Sequence, residues 1–149
     1  MNFSILPPIV IFIWLFIIQV DAFCVYNKVE QPPGTPETTF QLRQEPLHAG
    51  FNYFARFFRK KLEFGGKACC PFASGDCVKS KTSNEILYMA VTRTTGILEY
   101  GTVRISFPAG GWIEFHGDEK PENYEIKVFN ANGSPFKYEW KHNFMAGTQ

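Results

Sequence analysis

The chain has 149 residues, of which 45% are hydrophobic, and 16 of them are phenylalanine. That is one domain's worth of sequence, with apolar content enough for a core. The 15 Lys and Arg are nearly balanced by 14 Asp and Glu, which argues against a general nucleic-acid binder, since such proteins normally carry a clear basic excess, and leaves room for a local basic patch.

The first segment predicts export. Residues 9–18 are apolar without a break, and Val20 and Ala22 occupy the small-residue positions of a cleavage site after Ala22. The leading residues 1–8 lack Lys and Arg, which departs from the usual pattern. As a membrane anchor the apolar run 5–20 is short against the roughly 20 residues of a span, and Pro7, Pro8 and Gln19 interrupt it. The reading is a signal peptide over 1–22 and one secreted domain over 23–149. No later apolar segment is long enough to span a bilayer, and no C-terminal hydrophobic tail suggests a lipid anchor.

Residues 23–29 are short and rich in β-formers, and the Pro/Gly-rich stretch 31–36 follows as a loop. Residues 38–44 alternate apolar and polar side chains, the pattern of a half-buried strand. After a break at 45–50, residues 51–64 place aromatics on both faces at period two, which reads as a strand with both faces covered. Gly65 and Gly66 turn the chain into a short strand at 67–70. Residues 71–76 form a small loop that ends at Cys77.

Beyond the polar connection 79–84, residues 86–92 are almost continuously apolar, as in a central strand. A turn at 94–96 follows. Val103, Ile105 and Phe107 alternate with polar neighbours, residues 108–111 reverse direction, and 112–115 form the return strand. Residues 116–121 are an exposed loop. Tyr124, Ile126 and Val128 face Phe136, Tyr138 and Trp140 across an Asn132-Gly133 turn, the clearest hairpin signal in the chain. Seven to nine short strands with no amphipathic helix predict an all-β, single-domain, disulfide-bonded antiparallel β-sandwich.

The four cysteines, Cys24, Cys69, Cys70 and Cys77, suit an oxidising export route. A vicinal Cys69–Cys70 bond is strained, which leaves two pairings. Neighbouring strand residues point to opposite faces, so one of Cys69 and Cys70 faces the core and Cys24, and the other faces the loop closed by Cys77. Cys24–Cys69 with Cys70–Cys77 is favoured, and the swapped pairing stays open. The spacing is not that of a zinc site, and neither a metal nor a cofactor is expected.

The run from Phe64 through Cys69-Cys70-Pro71 to Asp76-Cys77, with Tyr26-Asn27 before it and Ile105 through Pro108-Ala109-Gly110-Gly111-Trp112 after it, resembles small secreted fungal-type cysteine-containing β-sandwich proteins. The resemblance spans most of 23–149, and its motifs are structural. It implies a secreted β-fold and no activity.

The leading functional expectation is a non-enzymatic, effector-like extracellular binding protein whose partner is a protein, a glycan or a lipid surface. Arg56, Arg59, Lys60 and Lys61 with Phe58 mix cations and rings in a way that suits anionic lipid headgroups or other polyanions. Trp112 and Trp140, with Tyr124 and Tyr138 near them in sequence, suit stacking on sugar rings. A small secreted hydrolase ranks last. His48, His116 and His142 show no ligand spacing, and His116 with Asp118 and Glu119 lacks a recognisable nucleophile, so no catalytic residue is assigned. Asn132-Gly133-Ser134 is a formal glycosylation sequon followed by Pro135.

Overall fold

A computed structural model of the chain describes residues 22–45, 58–118 and 120–142. Residues 1–21, residues 46–57 with most of the aromatic stretch predicted as a strand, Glu119 and residues 143–149 lie outside them. The fold is all-β. Its strands are β1 (Ala22–Asn27), β2 (Thr38–Glu45), β3 (Arg59–Leu62), β4 (Lys67–Pro71), β5 (Ile86–Thr95), β6 (Leu98–Glu99), β7 (Val103–Pro108), β8 (Trp112–His116), β9 (Glu125–Phe129) and β10 (Trp140–His142), with one 3-10 turn at Pro121–Asn123. No helix among the described residues is long and apolar enough to cross a membrane.

The strands form two sheets. One has the order β4-β1-β8-β9, and the other β10-β7-β5-β2-β3 with β6 alongside β5. The period-two pattern sets which side chains meet. Phe23 and Val25 of β1, Phe40 and Leu42 of β2, Met89 and Val91 of β5, Ile105 and Phe107 of β7, and Ile113 and Phe115 of β8 are all buried in one core. Ring pairs link the sheets: Phe23 meets Phe107 edge-on at 5.3 Å, and Phe40 stacks on Phe115 at 4.2 Å. Burying each such side chain contributes about 1.5–3 kcal/mol.

Asn27, at the end of β1, is buried. Its Nδ2 donates to the carbonyls of Thr38 (3.0 Å) and Glu63 (2.9 Å), and its Oδ1 accepts from the Val29 amide (3.2 Å). One side chain thus ties β1 to the start of β2 and to the turn after β3. Arg93, on the inward face of β5, is buried as well. Its guanidinium lies 5.2 Å from the Tyr100 ring centre and 5.1 Å from that of Tyr124, and its Nη2 donates to the Asp118 carbonyl at 2.7 Å.

Four expectations are corrected. Ten strands form among the described residues, not seven to nine, because two short pieces, β6 and β10, pair separately. The sheets are not wholly antiparallel, since β1 runs parallel to β8. The chain leaves β1 for the other sheet, so β1 has no hairpin partner and inserts between β4 and a strand made much later.

The return strand after residues 108–111 belongs to the opposite sheet from β7, so the turn is an arch between sheets. Gly111 is required at its corner, because a Cβ there would collide with the Phe129 carbonyl oxygen. Finally, the C-terminal hairpin stops after one bridge, Phe129 opposite Pro135. Phe136 and Tyr138 pack against the core, and that burial carries the chain across to pair Trp140 with Ile105 of β7.

Candidate functional site

The disulfides are Cys24–Cys69 and Cys70–Cys77, and both are compatible with an oxidising compartment. Their faces are the reverse of the expectation. Phe23 of the core stands opposite Cys70, while Cys24 stands opposite Cys69. The Cys70–Cys77 bridge therefore belongs to the interior side, where Cys77 is buried, and Cys24–Cys69 lies on the outer face of the four-stranded sheet.

That outer face is an ordered grid. Strand pairing aligns Cys69, Cys24, Trp112 and Phe129 in one row, and Lys67, Tyr26, Glu114 and Lys127 in the next, with His116 opposite Glu125 beyond. The half-buried Trp112 ring stacks on Phe129 at 4.9 Å and 20°. Its Nε1 donates to Glu114 Oε1 at 3.0 Å, and Lys28 Nζ donates to the same oxygen at 2.6 Å. His116 Nε2 lies 2.8 Å from Glu114 Oε2. Lys67 and Lys28 lie 5.2 and 5.6 Å from the centre of the Tyr26 ring. A carboxylate with three partners thus fixes an indole edge and two cationic or polar side chains beside an aromatic ledge.

Burial alone works to raise the Glu114 pKa, but the hydrogen bonds from Lys28, His116 and Trp112 outweigh it and hold the carboxyl below its ordinary value of 4.5. A depressed folded-state pKa adds stability that is present above the unfolded value and is lost as pH falls through the folded one. The difference in urea midpoint between the wild type and Glu114→Gln is therefore expected to be largest near neutral pH and to close below about pH 4. A difference that stays constant from pH 7 to 3 would remove the charge of Glu114 from this account.

The other predicted residues are dispersed. Trp140 is 55% exposed, but it sits on β10 of the six-stranded sheet, so it and Trp112 do not share a platform. Tyr124 is buried against Phe40 and Phe115. Desolvation pushes its hydroxyl well above the usual tyrosine range, although Arg93 pulls the other way. Tyr138 packs on the core and its hydroxyl donates to the Ile126 carbonyl at 3.1 Å.

In the basic set, Arg56 lies outside the described residues. Phe58 is 4% exposed and packs edge-on against Phe23 at 5.1 Å, which makes it a core ring. Position 59 stands opposite Arg43, Lys60 opposite Leu42 and Lys61 opposite Gln41, so strand alternation divides the run between two faces. Lys60 and Lys61 are exposed, and Lys61 Nζ lies 3.7 Å from Glu63. His48 and Glu119 are outside the described residues. Asp118 accepts from the Lys120 amide and from Asn123, which holds its own loop together.

Sequence reasoning missed Tyr26, Lys28, Lys67, Glu114 and Phe129 as site residues. The one local signal was the alternation Trp112-x-Glu114-x-His116, which puts three polar-capable side chains on one face of a strand. Compared with known proteins, the chain matches no family model, no curated protein and no solved structure.

Proposed function

We propose that the chain is a secreted, non-enzymatic and effector-like extracellular binding protein, a β-sandwich of the small fungal-type kind it resembles, that holds a carbohydrate on the outer face of its four-stranded sheet. The observation that carries this reading is the Trp112–Phe129 ledge with Glu114 beside it. An indole offers a flat apolar surface to the C–H face of a sugar ring and keeps one polar edge oriented. Lys28, His116 and Glu114 supply donors and acceptors for hydroxyls along the rim. The surface is a sheet face, which suits a polymer lying across it better than a small molecule enclosed in a pocket of roughly 300–1,000 Å³. A membrane-surface role on the basic strand has less support, because Phe58 is packed in the core.

Co-sedimentation with insoluble chitin, β-glucan and cellulose tests the reading. The wild type is expected to pellet with one of them and to change its tryptophan fluorescence. Trp112→Ala is expected to weaken binding by about tenfold or more, the equivalent of about 1.4 kcal/mol. Trp112→Phe should retain part of it, and Trp140→Ala should have no effect. Binding that survives Trp112→Ala, or a wild type that pellets with none of the three, would refute this assignment.

A further inference from the structure

We propose a second binding surface, on the outer face of the six-stranded sheet, that takes an acidic polysaccharide of the uronate class, with carboxylates spaced among hydroxyls. The surface arises from strand register. Lys141 of β10 stands opposite Arg104 of β7, Arg104 opposite Ala90 of β5, and Ala90 opposite Arg43 of β2. Side chains that share a row in a sheet share a face, so residues far apart in the chain make one cationic row that crosses the strands. At the usual strand spacing the row is about 14 Å long from Lys141 to Arg43.

The row is held in place from the neighbouring row of the same face. Glu45, with a side chain only 7% exposed, lies 3.1 Å from Arg43 Nη2 and 3.3 Å from Arg104 Nε. Ala90 is the small residue between them, and it lets Arg104 reach across β5. The Arg104 guanidinium also lies 4.1 Å from the Tyr88 ring centre. One carboxylate is shared by two guanidiniums, so the group retains net positive charge while both cations are oriented before any ligand arrives. Such planar forks match carboxylates.

Beside them is a cleft of about 150 Å³ lined by Tyr88, Arg104, Glu139 and Lys141. Its lining selects the ligand class. Arg104 and Lys141 can take a carboxylate, while Glu139 can only accept and so needs hydroxyl donors nearby. A densely sulfated chain or a phospholipid surface would set fixed anions against Glu139 and Glu45. A uronate chain offers one carboxylate per ring together with hydroxyls, which fits both signs. This surface is separate from the Trp112 face, and its test is separate as well.

The experiment is retention of the intact, oxidised protein on immobilised polygalacturonate, with dextran sulfate and phosphatidylserine vesicles in parallel. The wild type is expected to bind polygalacturonate in preference to both. Arg43→Gln with Lys141→Gln should weaken that binding by about tenfold or more. Lys79→Gln with Lys120→Gln, which removes the same charge from exposed loop residues, should change it little, and Trp112→Ala should leave it intact. If the Arg43 variant is poorly folded, Lys141→Glu at an exposed side chain gives the same readout. Equal loss in the loop variant, preference for dextran sulfate or vesicles, or no retention of the wild type on polygalacturonate would each overturn the proposal.

Discussion

Replacing Cys24 and Cys69 together by alanine is expected to lower the free energy of unfolding by about 4 kcal/mol, and the same change at Cys70 and Cys77 by about 2 kcal/mol. The difference comes from the unfolded chain. The first bridge joins residues 45 apart in sequence and the second joins residues 7 apart, and closing a longer loop removes more chain entropy. The native contacts point the same way, since Cys24–Cys69 fixes β4 directly to β1, whereas Cys70–Cys77 fastens a local loop to the core. Urea titrations of the two double variants under non-reducing conditions measure both values. If the Cys70/Cys77 variant is the less stable of the two, loop closure is not what sets the scale, and packing of Cys77 in the interior dominates.

Asn27→Ala is expected to cost about 3 kcal/mol or more, a large effect for so small a truncation. The change leaves the Thr38 and Glu63 carbonyls and the Val29 amide without the partner that Asn27 supplies. Each buried polar group so orphaned costs about 1–3 kcal/mol. Asn27→Asp is expected to be at least as harmful even though it keeps the shape, because it sets a carboxylate oxygen against two carbonyl oxygens. A hydrophobic-packing role predicts the reverse order, with Ala worse than Asp. Unfolding midpoints of the two variants at pH 7 decide between them, and an Asp variant as stable as the wild type would remove the donor argument.

Several features of the fold were legible in the chain alone, for a common reason. The inward sets of β2 and β7 followed from alternation over six or more residues, which strand geometry imposes whatever the partner, and β5 followed as a central strand from its almost continuous apolar run. The cysteine spacing likewise restricted the bridges to two pairings. What was not legible is the choice of partner. Nothing near Trp112 says that β8 joins β1 in parallel and not β7 in a hairpin, because the decision rests on Gly111 fitting against Phe129 and on which core face closes. The C-terminal hairpin failed for a similar reason: Phe136 and Tyr138 gain more from the core than from continuing beside β9.

The candidate site shows the same limit. Trp112 could be named from sequence, but Tyr26 and Lys28 reach its neighbourhood only through pairing of β1 with β8, and Lys67 only through pairing of β4 with β1. Lys60 and Lys61 looked like parts of one patch because they are adjacent in sequence, and strand alternation separated them. The cationic row of Lys141, Arg104 and Arg43 is the converse case, scattered in sequence and aligned by register.

The parallel pairing of β1 with β8 also governs the order in which the chain can acquire its structure. Lys28 and Glu114, which meet across that pair, are 86 residues apart. During synthesis β1 emerges early and must wait for nearly the whole domain before its partner exists. Pairings of such long range are slow to form and leave strand edges open to other chains in the meantime. Oxidation of Cys24 with Cys69 can occur once β4 is available, which gives β1 one neighbour before β8 arrives. Forming that bridge while β8 is still absent shortens the interval in which both edges of the first strand are unpaired, so it narrows the exposed edges from two to one.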